Sequence, residues 1–168
     1  MKQSIKRIIE QLGLLPHPEG GYYKETYRSN GIITNTNLND SFSGDRNYST
    51  GIYFLLTSNT FSAFHRINQD EMWHFYKGSP LKLHIISETG TYSEVIIGND
   101  VLNNQTPQFT VKARDWFAAE VIDNGDYSLV GCTVSPGFDF RDFNLPKREM
   151  LISKFPEHTA IISKLTRV

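Results

Sequence analysis

The sequence lacks the features that mark several large classes of protein. Its 168 residues contain one cysteine, which excludes an internal disulfide and a cysteine-rich zinc site. Lysine and arginine number 17 against 18 acidic residues, a net charge of −1, so no surface for nucleic acid or an anionic membrane is expected. No apolar run approaches the roughly 20 residues that span a bilayer, and residues 1–15 lack the apolar centre of a secretion signal. These absences predict a soluble cytoplasmic protein.

The length and composition are those of one globular domain, residues 1–168. A hydrophobic share of 39% and a charged share of 21% are ordinary for such a domain. Apolar residues recur at helical spacing from Ile5 to Leu12, just before Gly13, which predicts an N-terminal helix. Two short apolar stripes on either side of Pro156 predict two C-terminal helices.

Between these helices the sequence is typical of a series of short strands. From Ser49 onward, runs of β-branched and aromatic residues alternate with clusters of turn residues, which predicts an all-β sandwich, jelly roll or small barrel. One of these breaks, Asn124-Gly125, suits a two-residue hairpin turn. Residues 30–47 are rich in Asn, Ser and Gly and predict a long loop of the kind that often serves as a functional lid.

The segment Phe61–Gly78 concentrates titratable side chains among aromatic ones. It carries His65 and Glu71 close to Trp73 and Phe75. Apolar walls desolvate a ligand and shift pKa values, while a few polar groups fix its orientation. Strand alternation places both aromatic side chains on the same face as Glu71. This segment therefore predicts the wall of a binding or catalytic pocket.

The spacing of His65, Glu71 and Gly78 matches the first motif of the cupins. That motif reads His, any residue, His, three or four residues, Glu, six residues, Gly. Ile67 stands where its second histidine belongs. The second cupin motif, Pro-x-Gly-x-x-His, aligns with KARDWF, so that Phe117 stands at the position of its ligand histidine.

Three longer blocks extend this resemblance over most of the chain. HPEGGYYKETYRS, FHRINQDEMWHFYKG and LVGCTVSPGFDFRDF resemble the blocks of a small, uncharacterised cupin-like family. The resemblance implies a double-stranded β-helix, also called a jelly-roll barrel, with a pocket inside it, and usually a homodimer. It also implies structural kinship to the metal-free sugar-nucleotide 3,5-epimerases and to the non-catalytic seed-storage cupins. Because these two relatives differ in function, the fold alone does not decide the activity.

The resemblance also bears on metal binding. A cupin metal usually has three histidines and one glutamate as ligands, and His65 and Glu71 remain at the matching positions. His17 or Glu19 could add a ligand from the N-terminal segment, as could His74 through a bulge. Two ligands make an incomplete site, so no cofactor is expected. If a divalent metal binds, its predicted ligands are His65 and Glu71.

His65 and Glu71 are predicted to act as a catalytic acid–base pair, with Tyr53, or alternatively Tyr22 or Tyr23, as the partner acid. A histidine beside a carboxylate titrates near neutrality and can transfer protons. The metal-free epimerases named above abstract a proton next to a carbonyl group. The alternative is that the two residues are left from an ancestral metal site and now only satisfy buried hydrogen bonds.

A second set of residues is predicted to bind a ligand rather than transfer protons. Paired glycines allow a close approach of the backbone, and aromatic rings can stack on a sugar or a base, although the same rings would also suit a barrel core. The predicted set is Glu19, Gly20, Gly21, Tyr23, Trp73, Phe75 and Asp139.

The sequence thus predicts a barrel that binds a small polar molecule, sugar-like or nucleotide-like. If the protein is an enzyme, the expected chemistry is metal-independent isomerisation or epimerisation. Two alternatives remain open: a metal-dependent cupin enzyme, such as a dioxygenase or isomerase, and a binding or sensing protein without turnover.

Overall fold

A computed structural model describes residues 1–122 and 125–167. These residues form three helices, which are Gln3–Leu12 (α1), Arg148–Lys154 (α2) and Thr159–Lys164 (α3). They also form twelve strands, which are Leu15–Pro16 (β1), Tyr22–Arg28 (β2), Ile32–Ile33 (β3), Arg46–Asn47 (β4), Thr50–Thr57 (β5), Phe61–His65 (β6), Asp70–Gly78 (β7), Leu81–Ile86 (β8), Tyr92–Ile97 (β9), Gln108–Val111 (β10), Trp116–Val121 (β11) and Tyr127–Ser135 (β12).

The strands build two main antiparallel sheets. One has six strands in the order β1-β2-β5-β12-β7-β10, and the other has four in the order β6-β11-β8-β9. Neighbours in each sheet are mostly distant in sequence, as in a jelly roll, where the chain crosses repeatedly between two sheets. The predicted all-β jelly-roll fold, with one N-terminal and two short C-terminal helices, is confirmed.

The core lies between the two sheets. Its largest apolar cluster joins Phe54 and Trp73 of the six-stranded sheet to Leu83 and Phe117 of the four-stranded sheet. The Trp73 and Phe117 rings meet edge to face with centroids 6.3 Å apart. Burying one such side chain contributes about 1.5–3 kcal/mol, so alternating inward residues of both sheets account for the sandwich.

The helices cover the outer faces of the sheets. Helix α1 ends at Gly13, whose φ of 63° suits glycine, and it packs Ile5 against Leu55 on the six-stranded sheet. Helices α2 and α3 bury Leu151 and Ile162 against the four-stranded sheet. Within the described ranges, no helix is long and apolar enough to cross a membrane.

Two local predictions differ from the structure. Strands β11 and β12, on either side of Asn124-Gly125, belong to different sheets, so the hairpin prediction is wrong; Asn124 itself lies outside the described residues. The predicted loop at residues 30–47 contains a short ladder, in which β3 pairs with β4, and a 3₁₀ turn at Asn35–Asn37.

Candidate functional site

A cavity of about 530 Å³ opens on the inner face of the six-stranded sheet. This volume lies within the range of small-molecule sites. The cavity exists because alternate residues of the three central strands point inward together. Those residues are Thr50, Ile52 and Phe54 of β5, Glu71 and Trp73 of β7, and Cys132 and Val134 of β12.

Glu19 is the centre of a polar cluster in the cavity wall. Its Oε2 lies 3.2 Å from Nδ1 of His17 and 3.2 Å from Nε2 of His65, and Ser62 Oγ donates to its Oε1 at 2.7 Å. Burial alone would raise the pKa of Glu19, but the charge of His65 and the hydrogen bonds from His17 and Ser62 hold it below its ordinary value. Glu19 therefore acts as a shared acceptor for three side chains.

The turn before β2 explains why Glu19 reaches this position. Gly20 and Gly21 have φ of 120° and 71°, and a side chain at either would collide with a backbone carbonyl, that of Phe61 or of Leu55. Neither glycine lines the cavity. The predicted role of Gly20 and Gly21 in ligand binding is therefore corrected: they let the turn pack against β5 and β6 and so place Glu19.

His65 has no free ring nitrogen. Its Nδ1 donates to the carbonyl of Ala63 at 2.8 Å and its Nε2 contacts Glu19. The side chain is 2% exposed, and its ring packs 4.1 Å from that of Phe117. Burial lowers the pKa of His65, although the charge of Glu19 acts in the opposite direction. The predicted pairing with Glu71 is thus corrected: within the described chain, the carboxylate partner of His65 is Glu19.

The proton count in this contact follows from its geometry. A carbonyl oxygen only accepts, so Nδ1 of His65 carries a proton. If Nε2 and Glu19 were both unprotonated, two lone pairs would face each other at 3.2 Å. The contact is therefore held by one further proton that His65 and Glu19 share.

Glu71 also lines the cavity, in a different electrostatic state. It is 8% exposed. Burial, followed by the charge of Glu19, raises its pKa to about 8, although a hydrogen bond with Cys132 acts in the opposite direction. Glu71 is therefore mostly protonated at neutral pH and can donate a proton. Burial, followed by the charge of Glu71, raises the pKa of the Cys132 thiol well above its usual range, so Cys132 is not a reactive thiolate.

His17 is a site residue that the sequence marks only weakly, as a possible extra metal ligand. Its ring lies in the cavity wall among Tyr23, Phe140 and Phe143, with centroids 4.6, 6.1 and 5.8 Å away. The only sequence signal is a histidine two residues before Glu19 in a glycine-rich turn.

The charged residues around the cavity are paired with one another. Arg28 donates through Nε and Nη2 to both oxygens of Glu25, at 2.9 and 2.6 Å, and also contacts Asn47. Asp139 accepts from Arg141 at 2.7 Å, and this pairing holds the pKa of Asp139 well below its usual range. Among the described lining residues, Arg28 is the only arginine or lysine. The wall therefore offers no uncommitted cation to a phosphate.

A buried ion pair anchors the chain segment over the cavity. Arg46 donates through Nε and Nη2 to Asp142 at 2.7 and 2.6 Å, and Gln69 donates to the same carboxylate at 2.7 Å. The remaining Arg46 nitrogen, Nη1, donates to three carbonyls of residues 43–45. Residues 138–143 are thereby tied to residues 43–46, so the long segment at 30–47 is anchored on the barrel.

The structure brings six predicted site residues together and separates the other four. The cavity wall contains His65, Glu71, Glu19, Tyr23, Trp73 and Asp139. Tyr53 lies on the outer face of β5 against Tyr76, with ring centroids 6.1 Å apart, so its predicted role as the acid is corrected. Phe75 lies on the same face of β7 as Trp73 and packs against the apolar core, but it does not line the cavity.

The residues present do not fit a cupin metal. Ile67, which replaces one ligand histidine, is buried in the cavity wall, and Phe117, which replaces another, packs on His65. His65 points its Nε2 at Glu19 rather than towards a site shared with Glu71. In residues 1–122 and 125–167, no group of three or more His, Cys, Asp or Glu side chains is arranged to hold a metal ion.

Comparison with known proteins identifies close structural relatives. A hypothetical protein from Leishmania major is 36% identical, with a TM-score of 0.89, over 97% of this chain and 98% of that one. A protein from Shewanella oneidensis is also 36% identical, with a TM-score of 0.87, over 99% of both chains. An oxalate decarboxylase from Bacillus subtilis shares the fold alone, at 13% identity and a TM-score of 0.55, and this chain covers 38% of it.

Sequence comparison gives the same relationship. An uncharacterized protein of Saccharomyces cerevisiae is 30% identical over an alignment 160 residues long, which covers 87% of this chain and 77% of the yeast protein. The family model described as "Cupin superfamily (DUF985)" matches residues 6–146. The chain therefore belongs to this family of the cupin superfamily.

Proposed function

We propose that the cavity binds a small, uncharged polar organic molecule with a carbonyl group and catalyses its isomerisation or epimerisation without a metal. One observation carries the proposal: the same cavity contains both a histidine–glutamate cluster around Glu19 and a protonated acid, Glu71. Groups whose environments separate their pKa values in this way are typical of acid–base sites.

The chemistry needs only these side chains. A C–H bond next to the carbonyl breaks, its proton passes to an imidazole nitrogen of the cluster, and its electron pair forms the C=C bond of an enediol. The carbonyl oxygen takes the proton of Glu71. Return of that proton to the former carbonyl carbon, while the other enediol hydroxyl gives its proton to Glu71, completes an isomerisation. An epimerisation is completed when the enediol turns over in the site before the proton returns, so that the proton adds to the opposite face of the same carbon and Glu71 takes back the proton that it gave. Each positioned acid or base of this kind contributes about 10²–10⁴-fold to the rate.

The pairing of charges around the cavity supports an uncharged ligand. Arg28 is committed to Glu25, so a phosphate would have to break a bidentate ion pair. Trp73, Tyr23 and Phe140 supply ring faces of the kind that stack on sugars. A sugar-like ligand is therefore favoured over a nucleotide-like one.

Proton exchange in D₂O tests this function directly. D-glucose, D-mannose, D-fructose and dihydroxyacetone are each incubated with the protein, and deuterium next to the carbonyl is measured by NMR. We expect exchange in at least one of them, and none in fructose 6-phosphate. No exchange in any of the four sugars would contradict the proposed activity.

Two variants on strand β7 distinguish an effect on the cavity from a general effect on the fold. Glu71→Gln keeps the shape but removes the acidic proton, and we expect it to reduce exchange by at least about 100-fold. His74→Gln is the control, because His74 faces outward and bonds to Thr133 at 3.0 Å. Equal exchange rates in both variants would remove Glu71 from the mechanism.

A second candidate is ligand binding without turnover, which is favoured by the fact that both nitrogens of His65 are occupied. In that case a sugar of the panel would bind, as measured by calorimetry, yet acquire no deuterium. The homodimer implied by the family resemblance stays a prediction, which light scattering on the purified protein checks.

A further inference from the structure

We infer that Nε2 of His17 is the atom that removes the substrate proton, while Glu19 and His65 hold His17 in position. This inference rests on the proposed function and names the base that the function requires. It differs from the expectation drawn from the cupin motif, which gives the proton transfer to His65.

His65 cannot reach a ligand through either nitrogen. Nδ1 is bonded to the Ala63 carbonyl at 2.8 Å and Nε2 to Glu19 at 3.2 Å. The rings of Phe117 and Phe143 cover the imidazole, with centroids 4.1 and 5.3 Å away. A general base must reach the proton that it abstracts within hydrogen-bond distance, and His65 would first have to break one of its two contacts.

His17 contacts Glu19 through Nδ1, whereas His65 contacts it through Nε2. Nδ1 of His17 lies 3.2 Å from Glu19 Oε2. The backbone N–H of Glu19 points at the same nitrogen at 3.4 Å, a hydrogen bond that forms only when Nδ1 carries no proton. The carboxylate contact is the shorter and the charge-assisted one, so it decides the tautomer. Nδ1 then carries the proton of the neutral ring, and Nε2 keeps a lone pair.

Nε2 of His17 has no hydrogen-bond partner in the described chain. Within residues 1–122 and 125–167, the only polar contacts of this ring are made by Nδ1, and the side chain is 7% exposed. The ring belongs to the cavity wall, beside Tyr23 and Phe140. A carboxylate on Nδ1 and an unpartnered Nε2, on a ring that lines the cavity, form the arrangement of a general base.

His65 and Ser62 explain why Glu19 stays in place for this task. Ser62 donates to Oε1 of Glu19 at 2.7 Å, and Oε2, besides its contact with His17, shares a proton with Nε2 of His65. The carboxylate therefore cannot rotate away from His17 without losing both contacts. In this arrangement His65 is a positioning residue rather than a catalytic one.

Chemical rescue distinguishes the two histidines. We expect His17→Ala to lose at least about 100-fold in deuterium exchange with the sugar that the wild type exchanges, and added imidazole to restore part of the rate. His65→Ala should also lose activity, but imidazole should not restore it, because that ring has no contact with substrate. His74→Gln should exchange like the wild type. If His17→Ala keeps the wild-type rate, or if imidazole rescues only His65→Ala, the inference is overturned.

The ¹⁵N NMR spectrum of the histidine rings tests the same geometry without a substrate. For the neutral form of the ring we expect the His17 resonances of a proton on Nδ1 and none on Nε2, and a change of this pattern in Glu19→Gln. A His17 ring protonated at Nε2 would overturn the inference. A wild type that exchanges none of the sugars would instead contradict the proposed function, and the ring spectrum would still decide the tautomer.

Discussion

In residues 1–122 and 125–167, two buried histidines have carboxylate partners, and one of them, His65, belongs to the cavity wall. His65 shares Glu19 with His17 in the cavity wall. His84 lies on the four-stranded sheet, with Nδ1 2.7 Å from the Tyr92 hydroxyl and Nε2 3.2 Å from Glu120.

In the part of the chain that the structure describes, the two clusters differ in whether a ring nitrogen is left without a hydrogen-bond partner. Around His84, Lys164 donates to Glu120 at 2.6 Å and Tyr92 donates to Glu94 at 3.1 Å, so the groups satisfy one another. Burial lowers the pKa of His84 and, with the help of Glu94, raises that of Tyr92 to about 12. A buried histidine with a shifted pKa is therefore not enough to identify a site; an accessible, unpaired nitrogen beside a cavity is also needed.

The largest effect should come from removing the shared carboxylate. Glu19→Ala leaves two histidines and Ser62 without their acceptor in a buried position. Breaking a buried pair from one side costs about 3–5 kcal/mol of unfolding free energy, which urea denaturation measures. Glu120→Ala is the matched change in the other cluster, where Glu120 is half-buried and solvent can replace it. Equal losses in the two variants would show that the clusters are energetically alike.

An intermediate, pH-dependent effect should come from Glu71→Gln. Since the pKa of Glu71 is raised to about 8 in the folded protein, the unfolded chain ionises first, near the ordinary value for a glutamate. Wild-type stability should therefore fall between about pH 5 and pH 8, by a few kcal/mol at about 1.4 kcal/mol per pKa unit. Glu71→Gln has no carboxyl group to ionise at this position, so its free energy of unfolding relative to that of the wild type should rise over the same interval. Denaturation at several pH values measures the difference, and parallel pH curves would contradict the raised pKa.

The smallest effect should come from the His84 cluster. Tyr92→Phe removes the hydrogen bonds of the Tyr92 hydroxyl to His84 and Glu94 and should cost about 1 kcal/mol of unfolding free energy. Sugar binding and deuterium exchange should stay at wild-type levels, because the cavity wall does not include this cluster. A loss of exchange in Tyr92→Phe would mean that the two clusters are coupled across the four-stranded sheet.

The fold was predictable because its signals are repeated along the chain. Short strands, turn residues and the spacing of His65, Glu71 and Gly78 all indicate a jelly roll. The Asn124-Gly125 signal failed because turn chemistry is local, whereas the partner strand is chosen by the packing of two sheets. Phe75 shares the inward face with Trp73 as predicted, but alternation fixes only the face of a strand and not whether a side chain meets a cavity or the packed core.

The site was only partly predictable, because its central contact is formed by distant segments. The spacing of the cupin motif, which spans β6 and β7, brings His65 and Glu71 into the wall as predicted. The partner of His65 is Glu19, whose position depends on how the turn at Gly20-Gly21 packs on β6. On that strand Glu19 contacts Ser62, which is 43 residues further along the chain. No pattern within a single segment reports such a contact. A histidine next to a glycine-rich turn is the weak signal that could have drawn attention to His17.

The ion pair between Arg46 and Asp142 has a consequence for the kinetics of ligand binding. Because the segment over the cavity is already fixed in the free protein, little conformational entropy remains to be lost when a ligand arrives. Association should then be limited by diffusion and desolvation rather than by the opening of a loop, and free and bound backbones should nearly superimpose.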